Sequence, residues 1–429
     1  MNKTLNFFLN ILIFLTFLIT LSCGDDDITT RDSYVTITPK TVYYEVNIDY
    51  STGDRYDIGK EYGAKVLEAV PNYEKELESL LSETVAGLHA QDKKITYETL
   101  VNRALEIAVN AQPRYMDEID GFASTLSGGT INILGDGKMS RDEFLMLNFL
   151  PDISTITSCS AVAAYGDRSI TGHTILGRNT DWYPGSRGQL GYVNAVVYTK
   201  TGPTQVVSFG YLGMIGDLVA INSSGVFVAN LYSDVGAPYS AKGKRSVLLD
   251  IREAIETSNT VDEVGSFLGD PSRIYAYHNN MYIADRNLAK VLENDFERNR
   301  ALRVEDSQLN PGIEWNISDA IACVNGFVLK GNSSENFHKP GNEERWNNFI
   351  KLLMAEGGEV NSDGIKTIMS YHKQESGGED DGDIYWKWTV QSLIYSFSDN
   401  SLELWLHPPT GEFDGKPVFV AVPIPFLEK

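Results

Sequence analysis

Three residues able to do chemistry together fall in two short stretches. Cys159 sits in Thr157-Ser158-Cys159-Ser160-Ala161-Val162, and Arg178 and Asp181 sit in Leu176-Gly177-Arg178-Asn179-Thr180-Asp181-Trp182. A thiol attacks as the thiolate, and an isolated cysteine is mostly protonated near neutral pH. It therefore needs a base or a cation. No histidine accompanies Cys159 locally, although one brought in by the fold stays open. The other available base is the cysteine's own α-amino group, which titrates at about 7.7–8.0 once the chain is cut before it. That expectation places a cut at the Ser158–Cys159 bond, made by the same thiol on its preceding carbonyl.

The elements that must position these residues read as a β-hairpin. Small and apolar residues run on from Cys159, a turn follows at Gly166–Gly172, and a second apolar run ends in Gly-Arg-Asn-Thr-Asp-Trp. The thiol then opens one strand, and the Arg/Asp pair closes the next. Upstream, 43–150 reads as mostly helical. Tyr62, Val66, Leu67 and Val70 share a face before Pro71, and Leu77, Leu80 and Leu81 continue the pattern. Leu100, Leu105, Ile107 and Ala108 mark another helix, and Met116, Ile119, Phe122 and Leu126 a further one from Pro113. Downstream, strands are expected at 193–199, 205–211, 218–222, 226–232, 280–284, 288–293, 320–328, 389–396 and 402–406. Helices are expected at 246–256, 261–268, 342–356 and 362–372. That order suggests antiparallel sheets held between helical layers.

The bulk properties narrow the function. With 429 residues, 42% of them hydrophobic, the chain has ample material for a large core. A formal net charge of −22 offers no basic stripe, so nucleic-acid binding is not expected. Cys23, Cys159 and Cys323 form no CxxC pair, and the six histidines show no metal-ligand spacing, so neither metal nor cofactor is expected. No Gly-x-Ser-x-Gly elbow supports a serine triad. Asn132–Glu143 imitates the back half of a calcium loop, with Asp136 fifth, Gly137 sixth and Glu143 twelfth. Leu134 falls third, where an oxygen ligand is required, so a glycine turn leading into a helix is expected instead. The acidic run Glu375–Asp383 reads as a solvated loop, and Cys323, apolar on both sides, as a core thiol.

The amino terminus reads as an export signal. Lys3 precedes the apolar run Leu5–Leu21, which ends in Leu21-Ser22-Cys23-Gly24 and Asp25-Asp26-Asp27. Leu-Ser-Cys-Gly resembles a bacterial lipoprotein cleavage box, with Thr20 where leucine is usual. This implies a lipid on Cys23 and an extracytoplasmic, membrane-anchored protein; ordinary secretion is the alternative. The expected divisions are a signal peptide at 1–22, a tether at 23–42, a helical segment at 43–158 and a catalytic domain at 159–429.

The stretch Thr-Ser-Cys159-Ser-Ala…Ile-Leu-Gly-Arg178-Asn-Thr-Asp181-Trp182 resembles the N-terminal-nucleophile hydrolases that cut linear amides. These are the choloylglycine hydrolases, penicillin V acylases, acid ceramidase, acylethanolamine amidases and autoproteolytic isopenicillin-N-type acyltransferases. The last group shares the long helical segment before the cysteine. The resemblance implies an α+β fold, an αββα sandwich. It implies that Cys159 is the nucleophile and that Arg178 and Asp181 hold the α-amine and thiol. It further implies that Asn230 and Asn325 are oxyanion-side amides and that Arg345 is a site arginine. Around Asn325, Val324 and Gly326 replace the family's Thr and His, and Asn280 competes with Asn325 for its place. Donors at such positions suit amide chemistry, where losing one costs on the order of 10²–10³ in rate. The implied activity is hydrolysis of an N-acyl amide through a thioester. Acyl transfer to an amine, phospholipase-B-like deacylation and a non-catalytic surface-binding lipoprotein are the alternatives. An acyl groove would involve Tyr183, Tyr211, Leu212, Met214 and Tyr232, and the small-molecule substrate and oligomeric state stay open.

Overall fold

The computed structural model describes residues 33–154, 157–233, 239–373, 382–409 and 416–427. Fifteen described strands form two sheets. The nine-stranded sheet runs β1 (Val35–Pro39), β2 (Tyr44–Asp49), β5 (Asn194–Thr201), β6 (Thr204–Tyr211), β7 (Val219–Asn222), β8 (Phe227–Tyr232), β9 (Asn279–Ala284), β10 (Ala289–Asn294) and β11 (Arg300–Arg303). The six-stranded sheet runs β12 (Ala320–Cys323), β3 (Thr157–Ala164), β4 (Ile175–Trp182), β13 (Thr389–Ser396), β14 (Ser401–Leu406) and β15 (Val420–Ala421).

The two sheets bury one face of each against the other. Cys159, Ala161, Ala163, Leu176 and Leu393 from the smaller sheet share a core with Val207, Ile221, Phe227 and Tyr282 from the larger. The alternate residues of β3, Val162 and Ala164, join a second core under α9 (Asn342–Ala355) and α10 (Ser362–Met369). The outer face of the larger sheet is covered by α7 (Val247–Thr257) and α8 (Val261–Leu268). This is the four-layer α+β arrangement expected from the sequence, fixed by the period-2 alternation of each strand and the apolar stripe of each covering helix.

Two expectations are corrected. The stretch read as a tether contains β1, because Val35 and Ile37 alternate with threonines, and only Val35 is fully buried there. β2 then pairs with β5 in parallel, Tyr44 opposite Ala195 through Asp49 opposite Lys200, so the sheet is not wholly antiparallel. The long chain between them supplies the crossover that a parallel pair requires. It contains α1 (Arg55–Ala69), α2 (Tyr73–Gln91), α3 (Tyr97–Ala108), α4 (Pro113–Ala123), α5 (Arg141–Asn148) and α6 (Leu150–Ile153). α1 and α4 approach at Gly59 and Gly121, where an added Cβ would stand 2.2 Å from Glu118 O and 2.0 Å from Tyr56 O.

This helical layer is bonded to the later chain by buried polar contacts. Glu118 of α4 accepts from two nitrogens of Arg252 on α7, at 2.6 and 3.2 Å, and from Arg55 at 2.6 Å. The turn after β6 is held three ways: Gly213 N donates to Tyr62 Oη, Tyr73 Oη to Leu212 O, and Ile215 N to Asn148 Oδ1. In the calcium-like stretch, Glu143 accepts from Ser140 N and from Tyr97 Oη, so it closes a helix cap as expected. Cys23, the Leu5–Leu21 run and most of the acidic loop lie outside the described residues. Among the described residues no helix is long and apolar enough to cross a membrane.

Candidate active site

β3 and β4 are paired so that Ser158 faces Asp181, Cys159 faces Thr180 and Ala161 faces Arg178. Side chains alternate along a strand, so Cys159 and Arg178 share the face between the sheets, while Asp181 shares with Ser158 the face under α9. Cys323 of β12 pairs with Ala161, which carries Asn325 to the place opposite Cys159 just past the strand end. β8 delivers Asn230 from the other sheet, and α9 delivers Arg345 from the helical layer. All six sequence-predicted residues therefore meet at one sheet end, and none is more than 7% exposed.

The contacts divide the roles. Arg178 Nη2 lies 3.6 Å from Cys159 Sγ and donates to Asn230 O at 3.0 Å. Cys159 N donates to Asn325 Oδ1 at 2.5 Å, and Arg345 Nη2 donates to the same oxygen at 3.2 Å. Both of those partners are donors only, so the Asn325 amide must turn its Nδ2 away, and it donates to Tyr232 O at 2.8 Å. Arg345 Nη1 donates to Cys159 O at 3.2 Å and stands 3.5 Å from Asp181 Oδ2. Asp181 Oδ1 accepts from Thr389 Oγ1 at 2.7 Å. Asn325 thus holds the Cys159 backbone nitrogen, whereas the resemblance implied an oxyanion donor. Asn230 Oδ1 is buried without a partner in the structure.

The thiol is not pre-ionised. Burial pushes the Cys159 thiol above its ordinary range, and the Arg178 guanidinium beside it offsets only part of that rise. The histidines are engaged or placed elsewhere. His89 contacts Ile95 O, His278 pairs with Asp295, His338 with Glu343, His407 with Pro408 O, His372 lies against Tyr385, and His173 sits in the turn before β4. Cys323 is buried in the inter-sheet core, and burial pushes its thiol up to about 12.

Asn280 does not compete with Asn325; it supports it. Its Nδ2 donates to Val324 O and to Gly326 O, both at 3.1 Å, which clamps the carbonyls on either side of Asn325. Asn336 Nδ2 donates to Asn325 O, and Asn342 Oδ1 accepts from Arg345 Nη2 at 2.6 Å. Sequence reasoning missed Thr389, Asn336 and Asn342; of these only Asn342 left a signal, one helical turn before Arg345. Asn280→Ala removes the amide donor from both carbonyls, and though Val324 O still accepts from Gly326 N, Gly326 O loses this partner, at about 1–3 kcal/mol. The expected result is a loss of about 10-fold or more in kcat with a smaller change in KM, read by steady-state kinetics on any amide the protein turns over.

Beside Thr180 lies an apolar cleft of about 70 Å³, partly open to solvent. Tyr211, Leu212 and Met214 line it as expected, with Trp182. Tyr183 does not; its hydroxyl donates to Glu83 instead. The opposite wall was not foreseen. It comes from the amino-terminal helices, with Tyr73 and Leu77 of α2, Phe144 and Leu147 of α5, and Leu150 and Pro151 of α6.

No family model and no curated protein matches the sequence. Solved structures do. One is a Caenorhabditis elegans ortholog of N-acylethanolamine-hydrolyzing acid amidase, at 15% identity and a TM-score of 0.41 over 62% of this chain and 100% of that one. Another is a mutant conjugated bile acid hydrolase from Clostridium perfringens, at 12% identity and 0.35 over 62% and 97%. A third is penicillin V acylase from Agrobacterium tumefaciens, at 11% identity and 0.33 over 58% and 83%.

Proposed function

We propose that the chain cuts itself between Ser158 and Cys159 and then hydrolyses linear N-acyl amides through a thioester on Cys159. The observation that supports this reading is the cradle around Cys159, where Asn325 Oδ1 accepts from the backbone nitrogen while Arg345 holds the Cys159 carbonyl and joins Asn325 to Asp181. A buried side-chain acceptor on that nitrogen, with a charged pair behind it, makes sense if the nitrogen becomes a titrating amine. The raised thiol then has its base adjacent.

In the self-cutting step Sγ adds to the Ser158 carbonyl carbon, the C–N bond breaks and the sulfur proton ends on the freed nitrogen. Water hydrolyses the resulting thioester, leaving a Ser158 carboxylate and a Cys159 α-amine. In turnover the α-amine takes the thiol proton, Sγ adds to the substrate acyl carbon, and the amine leaves with that proton. Water then releases the acid. The cleft beside Thr180 suits an apolar acyl chain.

We further propose export and acylation at Cys23, as the Leu-Ser-Cys-Gly box suggests. Processing insensitive to globomycin would refute that part. The central test is mass spectrometry of the purified protein, followed by trapping of an acyl-thioester across a panel of linear amides. A fragment beginning at Cys159 and a thioester on that residue are expected. An intact chain that turns over amides would overturn the self-cutting claim, and an acyl product appearing on an added amine would reassign hydrolysis to transfer.

A further inference from the structure

β13 breaks its register where it passes the site. It pairs regularly with β4 from Ser396 opposite Ile175 to Gln391 opposite Thr180, and there the ladder slips, so that Thr389 rather than Val390 stands opposite Asp181. Side chains alternate along a strand, so an unbroken β13 would put Thr389 and Gln391 on one face. Their partners Asp181 and Thr180 are sequence neighbours and point to opposite faces. The extra residue, Val390, resolves the conflict, as a β-bulge does when it re-aims a side chain. Gln391 Oε1 accepts from Thr180 Oγ1 at 3.3 Å on the face of Cys159. Thr389 Oγ1 reaches Asp181 Oδ1 at 2.7 Å on the face under α9.

The direction of that hydroxyl is imposed. Thr389 is fully buried, and Trp386 N donates to its Oγ1 at 3.1 Å, which leaves its one proton for Asp181. The turn that carries it is fixed as well: Thr389 N donates to Trp386 O at 2.8 Å, and Trp182 N donates to Trp388 O at 2.7 Å. A donor locked in this way favours the ionised carboxylate and sets its plane. Asp181 in turn borders the bond to be cut. It faces Ser158 across the hairpin, and its backbone N–H donates to Cys159 Sγ. Its Oδ2 stands 3.5 Å from Arg345 Nη1, the nitrogen that also holds Cys159 O. Turning this carboxylate would unseat the charge against which Arg345 is placed.

Resting on the proposed self-cutting amidase, we infer that Thr389 is a positioning residue: through the bulge at Val390, its hydroxyl holds the Asp181 carboxylate against Arg345, beside the Ser158–Cys159 bond, in the cut and in turnover alike. Thr389 acts through Asp181 alone, and its methyl group contributes packing only. A misplacement of about 1 Å at a reacting centre costs about 10²-fold, so the hydroxyl's loss should be read in rate rather than in affinity.

The test compares side chains that differ chiefly by the hydroxyl: wild type against Thr389→Val, and Thr389→Ser against Thr389→Ala. A time course of fragment appearance in the full-length chain reads the cut. Steady-state kinetics on an amide that the wild type turns over, normalised to the amount of cut protein, reads turnover, and urea denaturation reads the fold separately. The member of each pair without the hydroxyl should cut itself and turn over about 10- to 100-fold more slowly than the other, with KM within about 3-fold. Thr389→Ser should keep most of the wild-type rate. If Thr389→Val does not fold, the Ser/Ala pair carries the comparison. Equal rates within a pair overturn the inference, and so does a loss confined to KM. Equal losses in Thr389→Ser and Thr389→Ala overturn it as well, because they assign the effect to the methyl group. All three results leave the amidase reading standing. A wild-type chain that stays uncut and forms no thioester sinks the two readings together.

Discussion

Cys159→Ala is expected to leave the Ser158–Cys159 bond uncut and to remove amidase turnover. Both steps proposed here use the same sulfur, so a single atom's loss must stop both. The expected fall in kcat is on the order of 10⁶, as for removal of a nucleophile in an enzyme whose groups act as a unit. The substitution should be nearly silent in stability. Cys159 shares the inter-sheet core with Ala161, Ala163 and Leu176, and its thiol accepts a long contact from Arg178 at 3.6 Å. Gel analysis and intact-mass measurement report the cut, and urea denaturation reports the fold. A Cys159→Ala protein that still appears as two fragments would assign the cut to another protease, and one that still turns over amides would remove the thiol from the reaction.

Arg345→Met is expected to be the most destabilising single change at the site. The guanidinium is fully buried and reaches Cys159 O, Asn325 Oδ1, Asn342 Oδ1, Gly341 O and Asp181 at once. Methionine would leave Asp181 as a buried anion without its guanidinium partner, a loss of about 3–5 kcal/mol for a broken buried pair. Arg345→Lys separates structure from chemistry. It retains the charge but has no planar fork, so it cannot serve the Cys159 carbonyl and the Asn325 amide together. The lysine protein should fold yet cut itself about 10²- to 10³-fold more slowly, the usual cost of one missing preorganised donor. A time course of fragment appearance measures this directly. Equal cutting rates in wild type and Arg345→Lys would make Arg345 a packing residue only.

The hairpin carrying the site was legible because it is local. Alternation from Cys159 and the Gly-Arg-Asn-Thr-Asp run give strand, turn and strand within a short span, and register then follows from the pleat. The later hairpins β7–β8, β9–β10 and β13–β14 were readable for the same reason. What escaped is non-local or weakly patterned. β1 and β2 carry alternation in Val35, Ile37, Val46 and Ile48, but threonines and tyrosines dilute it, and their place in the sheet depends on β5 far along the chain. β11 is Arg-Ala-Leu-Arg, an edge strand without an apolar face of its own. In the site, residue types were readable but their duties were not. Asn280 and Asn325 look alike in sequence, and only the paired carbonyls of Val324 and Gly326 make one of them the support of the other. The cleft wall from α2, α5 and α6 could not be read locally at all, because it forms only when Tyr62, Tyr73 and Asn148 grip the turn at 212–215.

The parallel ladder between β2 and β5 spans the proposed cut, since one strand precedes Cys159 and the other follows it. Once the chain is severed, that ladder and the Glu118–Arg252 contacts join two separate polypeptides rather than two parts of one. Assembly of the uncut chain is a first-order process, independent of dilution. Reassembly after severing becomes a bimolecular encounter, so unfolding that is reversible in the precursor turns, in the mature protein, into a loss that grows more permanent the more dilute the sample.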